Sequence, residues 1–349
     1  MDKIAKRFPK LLFVFGYFGI FVGFVGMIFT FGFIIWAAYR LLFVPKAEAV
    51  LAPVLPGITI SDKLPVLSFW HWIIAILIVA VIHEFSHGVY ARLRNIKIKS
   101  SGFAFLGPIL AAFVEPDEKQ LKKKSIRDQL LVFSAGPFSN ILLGVVIFLI
   151  LGFVLMPVVA GMVQVNGIII SDVNQTLPIA ESGLVAGSSI QEIDGVKVDD
   201  VKVLTNFLNK KKPGDTVEIK ANNSYYYVNL SSHPENKSKA ILGVTFSNYD
   251  VELKERFKSY TFLHDILSWT GLLLFWTFNI SIGVGLFNLL PLGPVDGGRM
   301  FYSAMLKLTK NEKKAARLLS IASMLILFII FINLWPFIAR LIKFIFGGF

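Results

Sequence analysis

The segment His83-Glu84-Phe85-Ser86-His87 holds the side chains in this sequence that are best suited to chemistry. At about 100° per residue, the two histidines lie about 40° apart around a helix and Glu84 lies about 100° from His83, so all three leave one side. Two imidazoles one turn apart can share a metal ion, and the neighbouring glutamate can take a proton from water at that ion. The pattern predicts a metal site with a general base. The alternative is a pair of histidines that hydrogen-bond across helices.

A catalytic zinc site has three protein ligands and a water, so the two histidines leave one protein ligand to be found. Asp296 is the best candidate, because it follows a later apolar run in the segment Asn288-Leu-Leu-Pro-Leu-Gly-Pro-Val-Asp-Gly-Gly-Arg. Two neutral histidines, one aspartate and an ionised Glu84 leave a nearly neutral cluster around zinc, which costs less in a low-dielectric setting than its separate charges. The alternative is that Asp296 is only a turn residue before two glycines. The remaining histidines are poorer candidates: His71, His233 and His264.

These residues belong to a strongly apolar chain. Of its 349 residues, 55% are hydrophobic, 17% are charged and 33 are phenylalanine, and the mean hydropathy is +0.66, as is typical of a membrane protein. The net charge of +12 does not indicate a nucleic-acid partner, because the lysines and arginines gather beside the apolar runs. The absence of cysteine excludes disulfides, thiolate nucleophiles, Cys-ligated zinc and iron–sulfur clusters.

Five apolar runs could each cross a bilayer, which takes about 20 residues. They predict a polytopic α-helical membrane protein with about 5–6 transmembrane helices, with His83 inside the second run. Residues 336–349 are too short to span and predict an interfacial or re-entrant tail. The runs are Leu11–Val44, Leu67–Tyr90, Leu130–Val159, Phe262–Leu292 and Leu318–Trp335. Small residues at helical spacing in the first run indicate close helix packing: Gly16, Gly19, Gly23 and Gly26.

The distribution of lysine and arginine predicts the orientation in a cell membrane. The first ten residues hold four basic residues, the segment 92–127 holds nine, and a further cluster lies at Lys307–Arg317. The loop after the first run is nearly free of them. We therefore expect the N-terminus and the ends of the second and fourth runs in the cytoplasm, and residues 162–258 outside it.

Residues 162–258 are soluble in composition. Strand-like tracts at 163–170 and Tyr225–Leu230 flank helical spacing over Val201–Leu208, which predicts a small α+β or β-sandwich domain of about 85 residues. The predicted organisation is an N-terminal helix and outer loop at 1–66, a first part of a membrane core at 67–161, the soluble domain at 162–258, a second part of the core at 259–310, and a C-terminal helix with an interfacial tail at 311–349.

The HEFSH segment in a span, the aspartate of N-x-x-P-x-x-x-x-D-G-G-R after a later span, and the small domain between them resemble the site-2 protease family of intramembrane zinc metalloproteases. The resemblance covers about residues 67–310. Val295 stands where the family usually has leucine, a difference that should not affect ligation. The resemblance implies zinc as cofactor, Glu84 as the catalytic base, and three metal ligands: His83, His87 and Asp296.

Two further segments resemble parts of the same family. Residues 135–140, A-G-P-F-S-N, match a family motif, which implies that Asn140 and Asn288 help to hold the substrate or an intermediate. The alternative is that each amide only hydrogen-bonds neighbouring helices. Residues 100–116, an apolar stretch interrupted by Gly107-Pro108, match the family's re-entrant element and could offer a β edge to an unwound substrate.

The soluble segment resembles a PDZ domain. The stretch Gly183–Gly195 reads like the bacterial-type G-L-x-x-G-D-x-I-x-x-I-x-G pattern, with Ser188 where aspartate is usual. A PDZ domain can capture a peptide by strand addition. In this family it can instead act as a steric filter against substrates with bulky outer domains, and the sequence leaves both roles open.

The resemblance implies hydrolysis of peptide bonds in or near the transmembrane segments of membrane-anchored regulatory proteins, as in regulated intramembrane proteolysis. The expected partners are those substrates and the lipid bilayer, with no nucleic acid. The alternative function is a catalytically silent membrane scaffold that binds partners through its PDZ-like domain. Loss of Glu84 or Asp296 would favour that alternative, and both residues are present.

Overall fold

The computed structural model describes residues 1–45, 47, 49–58, 64–106 and 109–346. The helices are α1 (Asp2–Arg7), α2 (Pro9–Phe43), α3 (Phe69–Leu93), α4 (Glu118–Lys122), α5 (Ile126–Ile150), α6 (Met156–Met162), α7 (Val201–Leu208), α8 (Thr261–Asn288), α9 (Asp296–Thr309) and α10 (Glu312–Phe346). A π-helical turn, Leu151–Leu155, joins α5 to α6, and short 3₁₀ helices lie at Pro178–Ser182 and Glu255–Tyr260.

The strands are β1 (Ile98–Leu106), β2 (Ile109–Pro116), β3 (Val163–Val173), β4 (Ser189–Ile193), β5 (Val196–Lys197), β6 (Thr216–Ala221), β7 (Ser224–Asn229), β8 (Ser231–Ser232), β9 (Ala240–Ile241) and β10 (Val244–Leu253). The chain forms two units, a helical unit of Met1–Val154 with Trp269–Phe349 and a sheet unit of Leu155–Ser268. Each unit has its own buried core.

Within the described residues, five helical segments are long and apolar enough to cross a membrane, as the fold prediction requires: Pro9–Phe43, Phe69–Leu93, Ile126–Met162, Glu255–Asn288 and Glu312–Arg340. The glycine stripe on α2 is buried against other helices, which confirms its packing role. A Cβ atom at Gly16 would overlap Tyr90 of α3 and Leu131 of α5, and one at Gly26 would overlap Leu289. The neighbouring side chains therefore lie so close to α2 that a larger residue at these positions would force them to shift.

Residues 98–106 and 109–116 form the two strands of a β-hairpin in the segment expected to be re-entrant and to offer a β edge. Strands β1 and β2 pair antiparallel, with Val114 opposite Ser101 and Ala112 opposite Phe103. Pairing satisfies the backbone groups that a membrane environment would leave without partners. The expected interruption at Gly107-Pro108 lies outside the described residues. The hairpin packs beside α3, the helix that carries HEFSH.

The sheet unit is an α+β domain, so the β-sandwich alternative is wrong. Its strands run in the order β10-β3-β4-β6-β7, with β5 beside β4, and β8 pairs with β9 separately. Helix α7 spans the predicted Val201–Leu208, and Asp200 caps its N-terminus by accepting a hydrogen bond from the Lys202 backbone N–H at 2.7 Å. The core consists of buried aliphatic side chains, among them Ile190 and Ile219.

Residues 336–346, for which the sequence predicts an interfacial or re-entrant tail, are helical in this structure. Helix α10 does not end before Pro336 but continues through it to Phe346. Proline removes one backbone donor, a loss that membrane helices tolerate when neighbouring helices hold them. Here Asn333 is buried one turn earlier, and its side-chain amide donates to the Ile34 carbonyl of α2 at 3.1 Å. This bond fixes α10 against α2 beside the proline.

Candidate metal centre

Three predicted ligands from two distant segments meet in the helical unit. The Nε2 atoms of His83 and His87, one turn apart on α3, are 3.1 Å from each other. They lie 3.1 and 3.2 Å from Oδ2 of Asp296, at the start of α9. Zinc with ligands at about 2.0–2.1 Å has tetrahedral ligand–ligand distances of about 3.3 Å. The three atoms are thus spaced like three corners of a zinc coordination sphere, as a group that could hold a metal ion.

The hydrogen bond that His87 makes on the side of its ring away from Asp296 favours a cation between the three predicted ligand atoms. Nδ1 of His87 lies 2.7 Å from the Val132 carbonyl oxygen. A carbonyl only accepts, so Nδ1 carries the hydrogen and the Nε2 lone pair faces the cluster. That lone pair converges with a carboxylate oxygen, and converging acceptors repel each other unless a proton or a metal ion lies between them.

Gly136 on α5 provides the space in front of the ligands. A Cβ atom built at this position would lie within 3.0 Å of the Nε2 atoms of both His83 and His87. Any side chain here would therefore occupy the point toward which the ligands converge. The glycine of the A-G-P-F-S-N segment thus leaves room beside the two Nε2 atoms, as a metal ion held by them would require.

The two glycines after Asp296 fix the aspartate in place. A Cβ atom at Gly297 would overlap the backbone of Leu289, and one at Gly298 would overlap the backbone of Leu292. The first turn of α9 therefore packs directly on the loop that follows α8. This close approach brings Asp296 to the histidines of α3, so the D-G-G sequence has a structural reason.

Glu84 faces a cavity of about 450 Å³ that also contains the three ligands. Its Oε2 atom accepts a hydrogen bond from the Val114 backbone N–H of β2 at 3.0 Å. Residues of β2 from Phe113 to Pro116 line the cavity together with Asn288. The carboxylate thus lies between the ligand cluster and the edge of the hairpin, where it can exchange a proton with a group in the cavity.

The two predicted asparagines differ in position. Asn288 lines the cavity, and its side-chain amide donates to the Val284 carbonyl at 3.0 Å. Asn140 is fully buried, and its amide nitrogen lies 2.9 Å from Nδ1 of His83. His71 lies apart from the cluster and hydrogen-bonds Ser68 at 2.6 Å.

Sequence reasoning missed three groups at the site. Gly136 could have been found, because it stands in the segment that drew attention to Asn140. The Val132 carbonyl and the Val114 N–H could not, since backbone groups have no signature in a sequence. Their roles depend on which helix and strand pack against α3.

Comparison with known proteins shows the family of this chain. The model of peptidase family M50 matches residues 71–333, well over half of the chain. Uncharacterized protein MJ0971 of Methanocaldococcus jannaschii is 30% identical over 244 residues, which are 69% of this chain and 59% of that protein. Zinc metalloprotease RasP of Shouchella clausii is 25% identical over 236 residues, 56% of this chain and 54% of that protein. The chain therefore spans less than two thirds of the length of these curated relatives.

Part of the chain is similar to a PDZ domain of known structure. The PDZ domain of the SdrC-like protein from Listeria monocytogenes is 27% identical, with a TM-score of 0.22, over 23% of this chain and 87% of that domain. The family match confirms the resemblance that the HEFSH and Asp296 segments predicted, and the chain belongs to peptidase family M50, the site-2 protease family of membrane metalloproteases.

Proposed function

We propose that this chain is a zinc metalloendopeptidase that cleaves membrane-anchored proteins in or near their transmembrane segments. The observation that carries the proposal is the meeting of His83, His87 and Asp296 at one point, with Glu84 facing the same cavity. Membership of peptidase family M50 supports a metalloprotease, and similarity to zinc metalloprotease RasP supports zinc as the metal.

Each residue of the site has a role in this proposal. Zinc held by the two histidines and Asp296 would polarise the peptide carbonyl and make water a better nucleophile. Glu84 takes the proton from the attacking water and passes it to the leaving nitrogen of the peptide bond. The Val114 N–H holds one oxygen of Glu84, which leaves the other oxygen free to face the reacting groups.

A transmembrane substrate must unwind before it can react, because a helix hides its peptide groups in hydrogen bonds. Strand β2 offers a place for the unwound segment. The Val114 N–H points away from β1 and toward the cavity, so the same edge also presents the Val114 and Ala112 carbonyls there. An extended substrate could pair with this edge next to Glu84, and Asn288 lies in the same cavity.

We further propose that the N-terminus is cytoplasmic and the PDZ-like domain extracytoplasmic, in the cell membrane. The ion pair of Asp2 with Arg92 supports one part of this orientation, because it places the N-terminus and the end of α3 on the same side. The excess of basic residues in these segments favours the cytoplasm for that side. The domain could capture substrates or exclude those with bulky outer parts.

Cysteine labelling tests the orientation, since the chain has no cysteine of its own. Lys237→Cys in the sheet unit and Lys123→Cys after α4 are both at exposed positions. In intact cells, an impermeant maleimide should label Lys237→Cys directly and Lys123→Cys only after lysis. The opposite pattern would reverse the proposed orientation.

The proposed reaction is tested with purified protein and a single-span reporter substrate. We expect cleavage that stops when a chelator removes the metal and returns when zinc is added. Elemental analysis should find one zinc per chain, and His83→Ala, His87→Ala or Asp296→Ala should each lose most of it. Binding of the reporter without any cleavage, with or without zinc, would favour the scaffold function instead.

A further inference from the structure

Asn140 lies behind the metal ligands and not in the cavity. Its side chain is fully buried on α5, and its backbone carbonyl accepts a hydrogen bond from the Ser281 hydroxyl of α8 at 2.7 Å. Among the described residues, two cavities reach both His83 and Glu84, and Asn288 lines both of them whereas Asn140 lines neither. A substrate in the cavity can therefore touch Asn288 but cannot reach Asn140.

The contact that Asn140 does make is with a predicted metal ligand. Its amide lies 2.9 Å from Nδ1 of His83, on the side of the ring opposite Nε2. With the amide nitrogen in this place, the side-chain oxygen of Asn140 is buried and has no hydrogen-bond partner in the described part of the chain. Turning the amide by half a rotation exchanges its oxygen and nitrogen with almost no change in shape. The oxygen then faces Nδ1.

The chemistry of His83 decides which orientation serves metal binding. A neutral imidazole carries one hydrogen, so Nε2 can offer a lone pair to a metal only when Nδ1 holds that hydrogen. Nδ1–H then needs an acceptor, which the amide oxygen of Asn140 provides. His87 has the same arrangement, since its Nδ1 donates to the Val132 carbonyl at 2.7 Å. Helix α5 thus supplies the acceptor for both histidines, once from the backbone and once from a side chain.

We propose that Asn140 is a positioning residue whose amide oxygen accepts a hydrogen bond from the Nδ1–H of His83 and aims Nε2 at the metal ion. The proposal rests on the metal site of the proposed function and assigns Asn140 a role other than substrate binding. Partners of this kind fix the ring orientation of a ligating histidine, and their loss typically weakens metal affinity by about 10–100-fold.

The test measures zinc affinity of the purified full-length protein without any substrate, by competition with a chelating dye. Asn140→Leu keeps the size of the side chain and removes the acceptor, so we expect zinc to bind about 10–100-fold more weakly. Asn140→Asp keeps an oxygen at the same place and should restore affinity close to that of the unaltered protein. Asn288→Leu is the matched control: its zinc affinity should not change, whereas its KM for a reporter substrate should rise.

Several outcomes would overturn the proposal. If Asn140→Leu binds zinc as tightly as the unaltered protein and changes only KM, Asn140 acts on the substrate. If Asn140→Leu and Asn140→Asp lose zinc equally, the oxygen is not what matters and the role is packing alone. Asn140→Ala is the second variant in case the leucine does not fit, with thermal unfolding as the check on folding. Failure of the unaltered protein to bind zinc would instead contradict the proposed function.

Discussion

The helical unit and the sheet unit bury different kinds of side chain. In the sheet unit the core is aliphatic, and the buried polar side chains among its described residues are Ser188 and Ser189. In the helical unit, histidines, asparagines and hydroxyl groups are buried together with apolar residues: Thr30, His71, His83, His87, Ser134, Asn140, Thr277, Ser281, Ser303 and Asn333. Buried polar groups cost free energy unless they find partners. Among these residues, His83 and His87 line the cavity that also holds Glu84 and Asp296.

Glycines allow close approach in both units, at Gly167 of the sheet unit against the Ile190 backbone. Helices of the helical unit meet at glycines, such as Gly19 against Phe138 and Gly136 against His83 and His87. The sheet unit is filled by large side chains such as Ile190 and Ile219, which are fully buried. One added methyl group at Gly136 should therefore disturb the candidate site, and one side chain removed from the sheet core should destabilise that unit.

The largest effect on the site is expected from Gly136→Ala. The added methyl group would occupy the space beside both Nε2 atoms. We expect zinc affinity to fall by about 100-fold, the upper end of the typical loss when the hydrogen-bond partner of a metal ligand is removed. Gly32→Ala on α2 is the control, because a Cβ atom there meets nothing within 4 Å. Chelator competition measures both variants. Equal zinc affinities in the two would show that the metal does not lie in front of Gly136.

A smaller effect is expected from Val114→Pro, which removes the N–H that holds Glu84. Zinc affinity should stay unchanged, while kcat for a reporter substrate should fall by roughly tenfold because the base is less well oriented. Leu110→Pro is the control. It removes an N–H from the same edge of β2, but near the start of the strand and four residues before Val114. If both prolines lower kcat equally, the hairpin as a whole matters and the bond to Glu84 does not.

The smallest effect on the site is expected from Ile219→Ala in the core of the sheet unit. The cavity left behind should lower the free energy of unfolding of that unit by about 2–5 kcal/mol. Limited proteolysis should show faster cleavage within residues 155–268, while zinc affinity remains within about twofold of the unaltered protein. Loss of zinc in this variant would mean that the metal site depends on the sheet unit.

The site was predictable where the information lies in side chains at fixed spacing. The two histidines of HEFSH share a helix face by geometry, and the residues around Asp296 have a recognisable sequence. Helix α7 was predictable as well, because Asp200 is a typical N-cap before an amphipathic repeat. In these cases local sequence and final structure depend on the same few residues.

Other features depend on contacts between distant segments and could not be predicted. The strands β1 and β2 lack a clear alternation of polar and apolar residues, so only the resemblance to a re-entrant element suggested a β edge, and the pairing of the strands was not predicted. The course of α10 beyond Pro336 depends on Asn333 reaching α2. Whether Asn140 faces the cavity or a histidine is decided by the rotation of α5 against α3. None of these can be seen in one segment alone.

The most direct test of the central claim, that the helical unit is a metal-dependent peptidase site, is the Glu84→Gln variant. The amide keeps the size of the side chain and leaves both histidines in place, but it cannot accept the proton from water. We predict nearly normal zinc content, with cleavage of a single-span substrate reduced by about 10²–10⁴-fold. Zinc content by elemental analysis and product mass by mass spectrometry measure the two quantities on one preparation. Cleavage at the unaltered rate by a zinc-loaded Glu84→Gln protein would contradict the account.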